Sequence, residues 1–321
     1  MDQSSYLTCA YAPYELVSNG VIKSYQNYSV RKGALLRFTF APDCIGYADC
    51  HPWQELNDLC LDDQLTNLKQ KKITPLLAQS IQFAKLDAMA RQNKTNLLEG
   101  LPLPLGHFLL TVLNEKSYLI IQDKLQEGFT DFKIKLGKDI ENETNWLIRI
   151  LLDYDIKVAL DFNCHLTKEQ FLVFLKKISS VREKIYFFED PFEGCEREDQ
   201  TDYGIDKCVL QTINKHKKSV AVFKPAIQSL ETFQKEIPNR NIMVTSYLDH
   251  PFGQVCAAYY TALLFKQNPK HCLKHGLLTH YCYLENNFSR HLVQKGPNFT
   301  PPKGTGFGFD EELQKLSWQL L

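Results

Sequence analysis

The sequence predicts an α/β fold in which a closed (β/α) barrel follows a smaller α+β domain. Charged residues that end short apolar runs recur at the length of one strand plus one helix, since Lys133, Asp161 and Glu189 are each 28 positions apart. Seven or eight such units in roughly 200 residues favour a closed barrel over an open sheet. The length of 321 residues exceeds that of a usual single domain and leaves room for a second one.

Composition and charge are ordinary for a soluble globular enzyme. Hydrophobic residues make up 44% of the chain, and 37 basic residues balance 37 acidic ones. Because there is no net charge and no apolar stretch long enough to cross a bilayer, we expect neither a nucleic-acid nor a membrane partner. The ten cysteines include no Cys-x-x-Cys pair and the first residues do not resemble a signal peptide, so we expect reduced thiols and a cytoplasmic location. The sequence does not indicate an oligomeric state.

Residues 1–98 are predicted to form an α+β capping domain. The expected elements are strands over 28–30 and 33–40, a turn at Pro42-Asp43, and helices over 61–68 and 76–89. The following stretch, 96–104, contains one glycine and two prolines, which interrupt regular structure. We therefore expect the domain junction there.

Residues 99–290 alternate between strands and helices, which predicts a modified TIM-type (β/α) barrel. Strands are expected over 108–112, 132–135, 158–161, 185–189, 203–206, 220–224 and 242–245. Helices are expected over 117–126 and 142–153, and from Thr167, where Gln170 has the spacing of a capping box. Active sites of such barrels lie at the C-terminal strand ends. Residues 291–321 are expected to return to the capping domain.

Two lysines share one face of a predicted strand. Lys133 and Lys135 are two residues apart, so they project together while their apolar neighbours face the helices. In a barrel mouth their mutual repulsion should lower their pKa values, which would make a lysine a usable base near neutral pH. The alternative is an edge strand whose lysines face water.

Carboxylates end the next strands. Asp161 and Glu189 occupy matching positions, where their oxygens could bind a hard cation such as Mg²⁺. Asp206 is the best-placed third ligand, and Asp199 and Asp202 compete with it. The alternative is that these acids cap helices or form ion pairs at the surface.

A further lysine, Lys224, ends a strand too apolar to be exposed. A buried lysine requires a partner or a function. The second and sixth strands of a barrel lie on opposite sides of its mouth, so Lys135 and Lys224 would flank a substrate bound between them. The alternative is that all of these charges are unrelated surface residues.

Together, these motifs resemble the enolase superfamily, in particular its muconate-lactonizing subgroup and, within it, the o-succinylbenzoate synthases. The resemblance rests on Lys133-x-Lys135, Asp161-x-Asn163, Glu189-Asp190-Pro191, Asp206, Lys224-Pro225, the stretch 245–248 and the stretch 276–279. This chain departs from the pattern at Lys207, where the family often has an acid, and at 164–166, where it often has an aromatic residue.

The resemblance implies a site and a mechanism. Mg²⁺, or Mn²⁺ as a substitute, would be held by Asp161, Glu189 and Asp206. Lys135 would be the base, Lys224 would stay protonated on the opposite face, and Lys133 would lower the pKa of Lys135. Substrate contacts are implied for Asn163, Ser246, Gly276 and Thr279.

The implied reaction is the dehydration of 2-succinyl-6-hydroxy-2,4-cyclohexadiene-1-carboxylate, through an enediolate, in menaquinone biosynthesis. Such an enzyme is a metal-dependent hydro-lyase that acts on a small carboxylate. One alternative is an N-acylamino acid racemase or dipeptide epimerase of the same superfamily, which uses the same two lysines. A further alternative is a barrel that binds a ligand without catalysis.

The histidines show no metal-ligand spacing. The chain has nine, and His250, His271, His275 and His280 lie at irregular intervals late in the sequence. We expect them to have surface or loop roles.

Overall fold

A computed structural model describes residues 6–20, 30–197, 202–206, 219–236, 240–292 and 296–321. None of the helices in these ranges is both long enough and apolar enough to span a membrane.

An antiparallel sheet backed by two helices forms the N-terminal part. The elements are β1 (Thr8–Val17), β2 (Val30–Ala41), β3 (Cys44–Cys50), α1 (Leu61–Lys69) and α2 (Pro75–Gln92). Helix α2 packs closely on the sheet, because a Cβ atom at Gly46 would lie 1.9 Å from the backbone oxygen of Ala84. The strand predicted at 33–40 and both helices are confirmed, and of the strand predicted at 28–30 only Val30 lies within the described residues.

Within the described residues, seven parallel strands follow in chain order and form one curved sheet. They are β4 (Phe108–Leu110), β5 (Asp131–Lys135), β6 (Lys157–Asp161), β7 (Ile185–Glu189), β8 (Tyr203–Ile205), β9 (Val220–Phe223) and β10 (Ile242–Val244). The described helices that accompany them are α3 (Glu115–Gln126), α4 (Ile140–Asp153), α5 (Lys168–Lys177), α6 (Leu230–Glu236) and α7 (Pro251–Gln267). The predicted alternation of strands and helices is confirmed from β4 to β7 and from β9 to α7, whereas residues 207–218, between β8 and β9, lie outside the described residues.

An irregular segment, 272–276, closes the sheet into a barrel. The Gly276 backbone N–H donates to Val244 on β10 at 2.8 Å, and the His107 N–H, next to β4, donates to His275 at 2.9 Å. Because this segment bridges both edge strands, it occupies the eighth strand position of the barrel. The predicted barrel is thus confirmed.

Strand β5 lies inside the sheet, between β4 and β6. Phe132 and Ile134 are fully buried, as predicted for the face under the helices, whereas Lys133 projects into the barrel and is only 7% exposed. The edge-strand alternative for the two lysines is therefore wrong.

The C-terminal segment contacts the N-terminal part. It contains α8 (Asp310–Gln314) and β11 (Gln319–Leu320), and β11 pairs with β1. The Arg91 guanidinium of α2 forms ion pairs with Asp87, at 2.6 Å, and with Asp310 of α8. These contacts fasten the end of the chain to the N-terminal sheet.

Candidate active site

A cavity of about 620 Å³ opens at the C-terminal ends of the barrel strands. All ten residues that were predicted to serve catalysis, metal binding or substrate binding line it: Lys133, Lys135, Asp161, Asn163, Glu189, Asp206, Lys224, Ser246, Gly276 and Thr279. A second cavity of about 590 Å³ lies between the stretch 96–104 and the C-terminal segment, and its lining includes Glu99 and Lys303 but no cluster of charges. The chemistry therefore belongs to the first cavity.

Strand register brings the charged residues together. In the register of the sheet, Lys135 on β5 lies beside Asp161 on β6, and Asp161 lies beside Glu189 on β7. Asp206 directly follows β8, and Lys224 directly follows β9. The charges thus form an arc over neighbouring strand ends, because each parallel strand ends at the same rim.

The Lys133 ammonium lies between two buried carboxylates. Its Nζ is 2.6 Å from Glu189 and 3.2 Å from Asp161. Burial alone would lower the pKa of Lys133, but the two carboxylates outweigh burial and raise it. The predicted fall of this pKa is therefore wrong, because the prediction considered repulsion from Lys135 and not the acids on the next two strands.

Lys224 is held in a similar way. Its ammonium forms an ion pair with Asp206, and its backbone N–H donates to the side-chain oxygen of Gln228 at 2.7 Å. Burial would lower the pKa of Lys224, yet the negative charge of Asp206 raises it. The ion pair with Asp206 therefore holds this lysine as a cation.

The carboxylates have the donor chemistry of a divalent metal site. Carboxylate oxygens suit a hard cation, and Glu189 Oε2 is buried without a hydrogen-bond partner. Asn163 Nδ2 donates to Asp161 Oδ1 at 2.7 Å and orients that carboxylate. No three acidic, histidine or cysteine side chains within the described ranges converge closely enough to hold an ion as they stand, since Lys133 and Lys224 engage the acids. The donor set fits a divalent cation that shares these carboxylates with the lysines.

Asp206 is the carboxylate that lines the cavity after β8. Its competitor Asp202 forms an ion pair with Arg182 instead. The other competitor, Asp199, lies outside the described residues.

Several cavity residues were given no role from the sequence. His107, Gln228 and Tyr247 line the barrel side, and the stretch 53–57 reaches the cavity from the N-terminal part. Trp53 follows β3 and a His-Pro pair. Its large side chain, just after a strand, is the one feature of the sequence that could have indicated a place in the cavity. The others depend on barrel closure, which brings residues far apart in sequence together.

The histidine prediction requires a correction. His107, His250 and His275 are at most 4% exposed, so their roles are not at the surface. Burial lowers the pKa of His107 to about 3 and that of His275 to about 4, which keeps both imidazoles neutral. They are uncharged packing and hydrogen-bonding groups in the closed barrel.

Small groups line the rim opposite the acids. Ser246 Oγ and Thr279 Oγ1 are 2.6 Å apart and form a hydroxyl pair. Gly276 is required there, because a Cβ atom would lie 2.8 Å from Nε2 of His107. This rim can accept hydrogen bonds and donate them to a polar substrate group.

Comparisons with known sequences agree on one family. A sequence model described as O-succinylbenzoate synthase, N-terminal domain, matches residues 9–90. The chain is also 31% identical, over 324 residues, to an o-succinylbenzoate synthase from Bdellovibrio bacteriovorus, with 97% of this chain and 98% of that protein covered.

Solved structures share the fold at low sequence identity. A mandelate racemase/muconate lactonizing enzyme from Roseiflexus sp. gives a TM-score of 0.77 at 16% identity, with 96% of this chain and 99% of that chain covered. The L-Ala-D/L-Glu epimerase from Bacillus subtilis gives 0.76 at 15% identity, with 95% and 98% covered. Muconate lactonizing enzyme from Pseudomonas putida gives 0.73 at 13% identity, with 97% and 99% covered. These likenesses concern the fold, a barrel with an N-terminal domain.

Proposed function

This chain belongs to the o-succinylbenzoate synthase family of the enolase superfamily, and we propose that it dehydrates 2-succinyl-6-hydroxy-2,4-cyclohexadiene-1-carboxylate to o-succinylbenzoate in menaquinone biosynthesis. It is a carbon–oxygen lyase of a family whose members depend on a divalent metal. The observation that carries the proposal is one cavity in which three carboxylates lie between two lysines, one on each side. The chain that forms it is 31% identical to a synthase of this name.

Lys135 is the proposed base. It is half-buried at the cavity and forms no ion pair within the described part of the chain, whereas Lys133 and Lys224 are both paired. Because no ion pair fixes it, this amine is placed to accept a proton from the carbon next to the substrate carboxylate. As the conjugate acid it then returns the proton to the departing hydroxyl, so a C–H and a C–O bond break, the ring becomes aromatic and water leaves.

Lys224 is proposed to act from the opposite face. When the closing segment is counted as the eighth position, β5 and β9 are four positions apart in the barrel and therefore lie opposite each other. A substrate between Lys135 and Lys224 is therefore contacted from both sides. The Asp206 ion pair keeps Lys224 protonated, so it stabilises negative charge on the substrate rather than removing a proton.

Asp161, Glu189 and Asp206 are the proposed ligands of Mg²⁺, with Mn²⁺ as a substitute. When bound, this cation would stabilise the charge that builds on the substrate carboxylate as the proton leaves. Lys133 would hold Asp161 and Glu189 in place from below, and Asn163 would orient Asp161. Ser246, Gly276 and Thr279 are the proposed contacts of the succinyl tail.

We also propose the setting in which this enzyme works. The division into a capping domain at 1–98, a barrel at 99–290 and a returning segment at 291–321 is supported by the cavity, to which barrel residues and 53–57 both contribute. A cytoplasmic location, with no nucleic-acid or membrane partner, agrees with the balanced charge of the chain.

The test is an assay of the purified protein with Mg²⁺ and the cyclohexadiene substrate, followed by the loss of diene absorbance. We expect turnover that stops when EDTA removes the metal and returns with Mg²⁺. Turnover that EDTA does not affect would overturn the metal role, and absence of turnover would overturn the assigned reaction.

The epimerase alternative is tested in parallel. N-Succinyl amino acids are incubated in D₂O with the same protein, and exchange of the α-proton is followed by NMR. Exchange without any dehydration of the diene would favour the racemase. Absence of both activities, together with binding of the substrate, would favour a barrel that binds without catalysis.

A further inference from the structure

Tyr247 joins the barrel to the capping part of the cavity. It lies three residues beyond β10, is 4% exposed and lines the cavity. Its hydroxyl donates to Asp58 Oδ2 at 3.0 Å, across 189 positions of sequence. One side chain of the barrel therefore reaches the loop that approaches the cavity from the N-terminal domain.

The 53–58 loop is a compact unit. The Trp53 backbone N–H donates to the same Asp58 Oδ2 at 2.9 Å, and the Asp58 N–H donates to the Trp53 carbonyl at 3.2 Å. Arg31 of β2 lies 4.0 Å over the Trp53 ring and forms an ion pair with Glu55 at 2.7 Å. Because Asp58 accepts from both its own loop and Tyr247, its carboxylate is where the loop is fastened to the barrel.

The ring of Tyr247 has contacts on both sides. It packs edge-on against Trp53, with ring centroids 6.5 Å apart. The Lys224 ammonium lies 5.9 Å from the centroid of the same ring, within the range of a cation–π contact. The orientation of this ring thus depends on the loop. The ring in turn forms the wall of the cavity beside Lys224.

We propose that Tyr247 is a positioning residue: its hydrogen bond to Asp58 holds the 53–58 loop over the cavity and fixes the ring that lines the wall beside Lys224. A loop held in this way keeps water from the reacting centre. The consequence for turnover rests on the proposed function, whereas the position of the loop can be measured without it.

The experiment uses Trp53 as a reporter of the loop. The chain has three tryptophans, so a Trp146→Phe/Trp318→Phe background leaves Trp53 as the sole one. Trp53 is 1% exposed, and acrylamide should therefore quench its fluorescence poorly. Tyr247→Phe, which removes only the hydroxyl, and Asp58→Asn are each introduced into this background and also combined. Tyr283→Phe is the matched control, because its hydroxyl donates to the Leu248 carbonyl at 2.5 Å and not to the loop.

We expect Tyr247→Phe to raise the quenching constant of Trp53 several-fold while Tyr283→Phe leaves it unchanged. The double variant should add little to Asp58→Asn alone, because the hydroxyl of Tyr247 then has no carboxylate partner to lose. With the diene substrate, KM should rise by up to about tenfold with a smaller change in kcat, because losing this bond lowers the fraction of molecules whose loop covers the cavity.

Quenching of Tyr247→Phe equal to that of the background, or additive effects of Tyr247→Phe and Asp58→Asn, would overturn the proposal. If no variant, nor the background, turns over the diene, the proposed function fails, and the quenching series still decides whether Tyr247 holds the loop.

Discussion

At the scale of single residues, the charges of the site follow from burial and pairing. Lys133 is surrounded by acids, so its ammonium is needed to compensate Asp161 and Glu189, which are 4% and 1% exposed. A buried carboxylate that loses its partner is strongly destabilising. Lys133 therefore has a structural task besides its place in the site.

A Lys133→Met substitution tests this task, because it keeps the aliphatic length and removes the charge. In EDTA, we expect the free energy of unfolding to fall by about 3–5 kcal/mol, measured by urea denaturation. Lys138→Met, at an exposed position just after the same strand, should change it by less than about 0.5 kcal/mol. Equal stability of the two variants would show that Lys133 does not compensate the acids.

Much of the site could be predicted residue by residue, for a physical reason. Charges at the ends of apolar strands are costly unless they share a site, so their spacing in the sequence indicated Lys135, Asp161, Glu189 and Lys224. The pKa direction of Lys133 could not be predicted in this way, because it depends on distances across three strands. His107 was missed, and Tyr247, which lies within the stretch 245–248, was given no role, since an isolated aromatic or imidazole has no periodic pattern.

At the scale of elements, local signals determine where helices begin. The Thr167 hydroxyl accepts from the Gln170 N–H at 3.2 Å, and the Gln170 side chain accepts from the Thr167 N–H at 2.8 Å. This reciprocal capping box starts α5, as the sequence predicted. The irregular segment 272–276 has no such local signal, because long-range bonds to two strands define it.

A Thr167→Ala substitution should weaken α5 without altering the cavity. We expect the free energy of unfolding to fall by about 1 kcal/mol, which is the usual cost of losing an N-cap. Thermal denaturation and the diene assay on the same sample check this. A large loss of kcat at unchanged stability would contradict the separation of α5 from the site.

At the scale of the whole molecule, two acids meet between the N-terminal sheet and the barrel. A Cβ atom at Gly253 would lie 2.6 Å from Oδ2 of both Asp49 and Asp249. Tyr14 donates to Asp49 at 2.5 Å, while Asp249 Oδ1 is buried without a partner. The titratable side chains around this pair include Tyr14, Cys50, His51, Tyr247, Cys256 and Tyr283, and the His250 backbone N–H donates to Asp49.

The pair makes stability depend on pH. Burial raises the pKa of Asp49 to about 7, and burial together with Asp49 raises the pKa of Asp249 well above its usual range. Because both folded-state values exceed the unfolded ones, the folded protein binds more protons. The pair's contribution to stability is thus present below about pH 4 and is lost as pH rises through 7, by up to about 1.4 kcal/mol per pH unit for each proton.

An Asp249→Asn variant should remove part of this dependence. We expect it to be more stable than wild type at pH 8, with the difference shrinking towards pH 5, in thermal melts over that range. Asp155→Asn, at a fully exposed side chain, is the control, and its melting temperature should change with pH in the same way as that of wild type. A constant offset between Asp249→Asn and wild type at every pH would contradict the proton-linked pair.

The central claim, that Lys135 removes the substrate proton, is tested most directly by the diene assay on Lys135→Ala at saturating Mg²⁺. Lys157→Ala is the control, because this lysine starts β6 at the far end of the barrel and donates to the Glu183 carbonyl at 2.7 Å. We predict that kcat falls by about 100-fold or more in Lys135→Ala and is unchanged in Lys157→Ala. Turnover by Lys135→Ala within a few-fold of the control would contradict the account.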